Sequence, residues 1–250
     1  MKLTVLGAHG TWPGPGGETC GYLVSHEGFN LWVDAGTGTF SRLQQQIAVD
    51  EVGAMLITHG HPDHFMDMIP AFYARHYGKM GAPGLPFYSP EGFFDLAALL
   101  VSEAGRNVMA IAYDTRDARH GVPFEAGPFR VTPFEMTHIG VRTVGYRIEA
   151  NGSVLAYTGD TGPCPEAVDL ARGADLFLAE ATYQNASNLL PFHLSAAQAA
   201  EHGVRAGVGR VLLTHITPDL DPDVSRTEAA AVFGDAVDVA VSGLVIEVGE

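Results

Sequence analysis

The residues of this 250-residue chain that could do chemistry are concentrated in one stretch, Thr58-His59-Gly60-His61-Pro62-Asp63-His64. Three histidines and an aspartate fall within six positions, directly after the apolar run Ala54-Met55-Leu56-Ile57. A buried strand that ends in so many nitrogen and oxygen donors reads as a metal site. His59 and His61 are two apart, so on extended backbone they point the same way and can share one ion. Asp63 and His64 turn into a helix start and can face a second. His138, Asp160 and His215 each follow an apolar strand, as the cluster itself does, and that repeated context implies convergence. Seven donors exceed one tetrahedral zinc and suit two divalent ions bridged by a carboxylate. An imidazole-rich set favours zinc, with manganese, iron or cobalt as alternatives.

The elements that must position these residues are legible from period and punctuation. Lys2–Leu6 reads as a strand running into a glycine-rich loop over 7–17. That loop is either a plain connection or a source of backbone N–H groups for an anion. His9 within it is an exposed loop residue or part of a pocket rim. Tyr22–His26 and Asn30–Asp34 form a hairpin. Asp34, at a strand end, is a turn cap or an outer partner for a metal-bound histidine. Phe40–Ile47 is a short helix, Ala54–Thr58 the strand before the cluster, and the spacing of Phe65, Met68, Ile69, Phe72 and Tyr73 predicts one helix from Asp63 onward. Arg75, His76 and Tyr77 read as its solvated end, with a reach into a substrate pocket as the alternative. Phe87-Tyr88 is a strand and Pro90–Ala104 a helix, with Phe87-Tyr88 and Phe93-Phe94 read as core and stacking on a base as the alternative. Residues 107–124 show no clear period.

In the second half, Phe129–Phe134 is a strand and Val144–Glu149 with Ser153–Tyr157 a hairpin. Leu176–Ala179 and Val211–Thr214 are apolar strands, and Val237–Val241 and Leu244–Val248 close the chain. Glu166–Arg172, Leu194–Ala206 (with Ser195 as N-cap) and Val224–Phe233 are helices. Strand-rich halves with interposed helices predict two packed sheets, helices outside, and a site at one edge. The whole chain, 1–250, reads as one domain.

A net charge of −15 weighs against an extended polyanionic partner such as DNA or folded RNA. It leaves room for a small anion, because bound cations would set the local field. The first residues lack a secretion signal, no apolar run reaches membrane-spanning length, and Cys20 and Cys164 are expected to be reduced thiols. A cytoplasmic protein is the expectation. Cys164 reads as a small, semi-buried filler near Asp160.

The His-x-His-x-Asp-His motif at 59–64, with His138, Asp160 and His215 following singly, resembles the metallo-β-lactamase superfamily along nearly the whole chain. The resemblance implies a four-layer αββα sandwich of the α/β (α+β) class. It implies that His59, His61 and His138 hold one metal, that Asp63, His64 and His215 hold the other, and that Asp160 bridges. True β-lactamases of this fold commonly carry cysteine at the position of Asp160. Glyoxalase II enzymes carry a helical C-terminal domain, whereas 35 residues follow His215 here. Glu180-Ala181-Thr182, His193-Leu194-Ser195 and Leu212-Leu213-Thr214-His215-Ile216-Thr217-Pro218 resemble the ribonuclease Z-like phosphodiesterase branch, as does His138-Ile139-Gly140. Ala179 departs from the His-Glu-Ala-Thr pattern of some relatives.

In that branch the histidine matching His193 contacts phosphate or assists the leaving group, and the glutamate matching Glu180 supports it. Asp63 joins His193 and Glu180 as a catalytic candidate. Ribonuclease Z enzymes insert a tRNA-gripping arm between the positions of His138 and Asp160. Here those residues are 22 apart and a hairpin uses most of the gap. A small phosphodiester is therefore expected as substrate, cAMP or a similar cyclic nucleotide first, with no large nucleic acid, no membrane, and a homodimer by analogy. The alternatives are a lactonase or thioesterase, a tRNA 3′-processing endonuclease, or a non-catalytic metal-binding protein.

Overall fold

The computed structural model describes residues 1–184 and 189–249. The first half runs β1 (Lys2–Gly7), β2 (Gly21–His26), β3 (Phe29–Ala35), α1 (Thr39–Leu43), β4 (Val52–Leu56), α2 (Pro62–Phe65), α3 (Met68–His76), β5 (Leu85–Ser89), α4 (Phe93–Ala98), α5 (Glu103–Ala112) and β6 (Tyr113–Asp117). The second runs β7 (Phe124–Ala126), β8 (Phe129–Glu135), β9 (Val144–Ala150), β10 (Ser153–Tyr157), α6 (Pro165–Ala171), β11 (Leu176–Glu180), α7 (Ala196–Ala206), β12 (Arg210–Thr214), α8 (Pro222–Phe233), β13 (Val237–Val239) and β14 (Val245–Glu247).

These strands form two seven-stranded sheets, in the orders β14-β1-β2-β3-β4-β5-β6 and β13-β12-β11-β10-β9-β8-β7. Each sheet begins with antiparallel pairs and continues with parallel ones, from β3 to β6 and from β10 to β13. The sheets face each other across a core that includes Leu31, Val33, Leu56, Tyr146, Tyr157 and Leu178. On their outer faces lie two further cores. Trp32, Met55, Ile57, Phe72 and Phe87 pack with the helices of the first half. Phe177, Ala179, Leu213, Ala199 and Ala229 pack with those of the second. Alternate residues of one strand thus enter different cores, which is why the parallel strands read as unbroken apolar runs. The four-layer αββα expectation holds.

Local differences have local causes. The helix expected from Asp63 breaks between α2 and α3, because Pro70 cannot follow a continuous helical turn without its ring meeting the carbonyl of Met66. Asp67 at the break accepts the Phe40 N–H at 2.8 Å and so docks α1. The helix expected over Pro90–Ala104 is two helices. Ser102 caps the second by accepting the Gly105 N–H at 3.1 Å, and α5 then runs into β6 through the stretch that shows no period. At α7 the expected Ser195 cap is present as a reciprocal pair, with Gln198 Oε1 accepting the Ser195 N–H at 2.9 Å. Phe87, Tyr88 and Phe93 are buried in the cores, as expected. Among the described residues, no helix is long and apolar enough to cross a membrane.

Arg75 is not a solvated helix end. It is buried, and its guanidinium donates to the Val49 carbonyl at 3.1 Å and the Ala82 carbonyl at 2.8 Å. It therefore ties α3 to the turn before β4 and to the loop before β5. Arg75→Leu is expected to cost about 1–3 kcal/mol of unfolding free energy, since it strands two carbonyls. Chemical denaturation would measure this loss, with the metal content of the folded protein unchanged.

Candidate metal centre

Every anticipated donor comes from the carboxyl end of a strand or the loop beyond it. β4 leads to His59, His61, Asp63 and His64, and β8 to His138. β10 leads to Asp160, β11 ends at Glu180, and β12 leads to His215. The two sheets present these ends at one shared edge, where open α/β sheets bind their ligands.

The side chains form two groups joined by Asp160. The donor atoms of His59, His61, His138 and Asp160 lie within 4.8 Å of one another, and so do those of Asp63, His64, Asp160 and His215. In the first, His61 Nδ1 is 3.0 Å from His138 Nε2, and Asp160 Oδ2 lies 3.7 Å from His59 Nε2. In the second, Asp160 lies 3.1 Å from His64 Nε2 and 3.3 Å from His215 Nε2, and Asp63 Oδ2 is 3.2 Å from His215 Nε2. These are the two sets of residues expected to hold metal.

The residues present fit divalent cations. His59 Nε2, His64 Nε2 and Asp160 Oδ1 are buried without a hydrogen-bond partner. A buried polar atom left unpaired is costly, and cations bound in the two groups would resolve all three. The opposite ring nitrogens, by contrast, are anchored. His59 Nδ1 meets Thr58 Oγ1 at 3.1 Å, and His64 Nδ1 meets Asp34 Oδ2 at 2.8 Å. His138 Nδ1–H donates to the Phe192 carbonyl at 3.0 Å, and His215 Nδ1 meets Thr182 Oγ1 at 2.8 Å. Such outer contacts fix tautomer and direction in ligating histidines.

Asp34 thus takes the outer-partner reading rather than the turn-cap one. It is fully buried and also accepts the Thr58 N–H and the Tyr157 hydroxyl, both at 2.8 Å, so it links the two sheets beneath the cluster. The glycine-rich loop does bring an N–H to an anion, and the anion is Asp63, whose Oδ2 accepts from Thr11 N–H at 2.8 Å. Thr11, Asp34 and His215 all have left-handed backbone, with φ of 63°, 53° and 57°. Strain of this kind costs about 1–3 kcal/mol per residue and gathers where function over-determines geometry.

Charge follows from the packing. Burial would raise the Asp63 and Asp160 carboxyls, but the surrounding imidazoles, His64 and His215 foremost, hold both well below the ordinary range. Burial would lower His64 and His215, yet Asp160 and Asp63 outweigh it and lift them. His59 shifts the other way, lowered by burial and then by the charge on His64. The cluster therefore keeps anionic carboxylates and binds protons where cations are absent.

His193 and Glu180 stand beside this centre. Glu180 is fully buried. Its Oε1 accepts from His193 Nδ1–H and the Thr161 N–H, each at 2.8 Å, and its Oε2 from the Thr182 hydroxyl at 2.8 Å. With its hydrogen on Glu180, Thr182 has a lone pair for His215 Nδ1–H, so one glutamate orients both histidines. The His193 ring stacks on His215 with centroids 5.5 Å apart, and its Nδ1 lies 3.9 Å from Asp160. Burial would lower the His193 pKa, but the Glu180 hydrogen bond and charge, with Asp160, raise it to about 9.

Thr182, Thr58, Tyr157 and Thr11 were not legible as site residues. Hydroxyls and a backbone amide carry no spacing signal, although the Glu180-Ala181-Thr182 segment was. Cys164 is buried at the start of α6, 3.4 Å from Thr161 Oγ1. His76, at the end of α3, stacks on Phe72. Both cysteines are free.

Asp34→Asn removes the charge behind His64 while keeping its shape. Metal affinity, measured by competition with a chromophoric chelator, is expected to fall about 10–100-fold. In the wild type it falls as pH is lowered, because protons on His64 and His215 compete with the cation.

A model of the beta-lactamase superfamily domain matches residues 15–216. The uncharacterised protein ML1173 of Mycobacterium leprae is 33% identical over 97% of this chain and 87% of its own length. The probable metallo-hydrolase YhfI of Bacillus subtilis is 29% identical over 99% of this chain and 100% of its own. Its crystal structure superposes with a TM-score of 0.89 at 26% identity, covering 98% of both chains. A protein named ribonuclease Z from Mycolicibacterium gilvum is 27% identical over 96% of this chain and 93% of its own. With a domain match of that extent and a relative of that similarity along nearly its full length, the chain belongs to the metallo-β-lactamase superfamily, a metallo-hydrolase family that binds divalent metals.

Proposed function

We propose that this metallo-hydrolase is a phosphodiesterase with two divalent ions, zinc foremost, and that it acts on a small phosphodiester such as the cyclic nucleotide cAMP. The observation that carries this reading is the Glu180–His193 pair at the edge of the metal centre, with His193 Nδ1 held at 2.8 Å. Engaging Nδ1 assigns contact with the substrate to Nε2, and the raised pKa keeps a proton available there at neutral pH. A protonated imidazole suits a phosphoryl oxygen or a departing alkoxide. The name of the ribonuclease Z relative also supports chemistry at phosphorus.

Bound cations would supply Lewis-acid polarisation of the ester and acidify the attacking water. The chain does the rest. Asp160 and Asp63 keep the centre anionic, His59, His61, His138, His64 and His215 direct lone pairs inward, and His193 offers the proton. A small substrate is favoured because β9 and β10 occupy most of the stretch between His138 and Asp160. The net charge of −15 adds repulsion toward a large nucleic acid.

A panel of bis(p-nitrophenyl) phosphate, cAMP and an acyl-lactone on metal-replete protein tests the reading, and turnover of the lactone alone would sink it. His193→Ala is expected to retain its metal and lose about 100-fold or more in kcat. The wild-type rate should decline as pH rises through about 9, where His193 sheds its proton. In Glu180→Gln that limb should move to lower pH, because the stabilising negative charge is gone.

A further inference from the structure

His9 is the residue of the glycine-rich loop that the metal chemistry leaves unused, yet its position is tightly determined. The Gly14 N–H donates to His9 Nδ1 at 3.1 Å. An imidazole nitrogen that accepts from a backbone amide carries no proton, so the ring is neutral and its hydrogen is on Nε2. The fit of the ring requires glycine on the loop around it. A Cβ at position 17 would lie 2.1 Å from His9 Cε1, and one at position 14 would lie 3.1 Å from it. The loop is thus built to hold one donor in one direction. Among the described residues, Nε2 itself has no hydrogen-bond partner.

That ring lines a cavity of about 340 Å³, within the size range of small-molecule sites. Thr214 and Ile216 also line it, so it lies beside the backbone of His215, whose N–H donates to the carbonyl of Ala8, another wall residue, at 2.9 Å. Its other walls include Pro218, Ala240 and Val241. Not one described residue of the lining carries a formal charge, whereas the cavity beside Gly60 contains the Glu91–Arg142 ion pair. A charge-free cavity beside the backbone of His215 suits the uncharged part of a substrate whose phosphate is held elsewhere. Small and proline-rich walls suit a flat group, and the fixed His9 N–H calls for an acceptor on it.

We propose that this cavity is the specificity pocket of the enzyme and takes a planar heteroaromatic ring of nucleobase type, with His9 Nε2–H donating to a ring nitrogen or carbonyl. The identification of the ring as part of a nucleoside phosphodiester rests on the phosphodiesterase reading above. His9 is a specificity residue here, and it takes no part in bond cleavage.

The test uses metal-replete wild type, Val241→Trp and His9→Phe, with metal content and thermal midpoint confirming intact folds. Val241 is exposed, so a tryptophan there blocks the cavity without repacking a core. KM for cAMP is expected to rise about tenfold or more in Val241→Trp and about three- to tenfold in His9→Phe, with kcat within about twofold. Binding of adenosine, which carries no phosphate, is measured by titration calorimetry and should weaken in parallel. Unchanged KM and unchanged adenosine affinity in Val241→Trp would overturn the pocket while leaving the phosphodiesterase intact. Adenosine binding that depends on His9, in a protein that cleaves no phosphodiester, would uphold the pocket and overturn the function. A wild type that does not bind adenosine overturns the pocket whatever it hydrolyses.

Discussion

Asp160 is a buried carboxylate with imidazoles on every side. His64, His215, His59, His138 and His193 each place a ring nitrogen between 3.1 and 3.9 Å from it. Burial alone would neutralise the acid, and the ring of histidines keeps it charged. The same carboxylate makes it favourable to gather so many imidazoles in one place. Protons or divalent cations must complete the charge balance, and only cations also satisfy the nitrogens left without hydrogen bonds.

The surrounding protein is arranged to keep that cluster from collapsing. Each ring of the cluster that faces inward through Nε2 is tied through Nδ1 to a hydroxyl, a carbonyl or a carboxylate. Two acids do most of the anchoring. Asp34 sits below the cluster and joins β3, the turn after β4, α2 and β10 through Thr58, His64 and Tyr157. Glu180 sits beside it and, through Thr182, sets the tautomer of His215 while holding His193. Backbone strain at Asp34 and His215 is tolerated because each is held by several bonds at once, and at Thr11 because its N–H is engaged by Asp63.

The sandwich brings these groups together by a repeated device. In both halves an antiparallel start gives way to parallel strands, whose carboxyl ends must all point to one edge. The first half contributes the motif at 59–64 and the second contributes His138, Asp160, Glu180 and His215, so neither sheet holds a complete centre. Packing of the inner faces, through residues such as Leu56, Tyr146 and Leu178, sets the spacing between the contributions.

Composition, spacing and strand context were enough to single out the candidate metal donors, because a histidine or aspartate placed after an apolar run is delivered to a sheet edge wherever the strand lies. They also identified the sandwich, since runs buried on both faces lose the alternation of a half-exposed strand. The helix breaks ahead of Pro70 and at Ser102 were obscured by apolar spacing that continued across them. The burial of Arg75 was hidden because a cation at a helix end has the same pattern whether it meets water or two carbonyls. Which nitrogen of each histidine faces inward was decided only by tertiary structure, as were the roles of Thr182, Tyr157 and Thr11 and the clamping of His9. Those depend on hydroxyls, amides and missing Cβ atoms from distant segments, and such contacts have no periodicity along the chain. The sequence by itself thus determined which atoms could bind metal, and the packing of two sheets determined where each of them points.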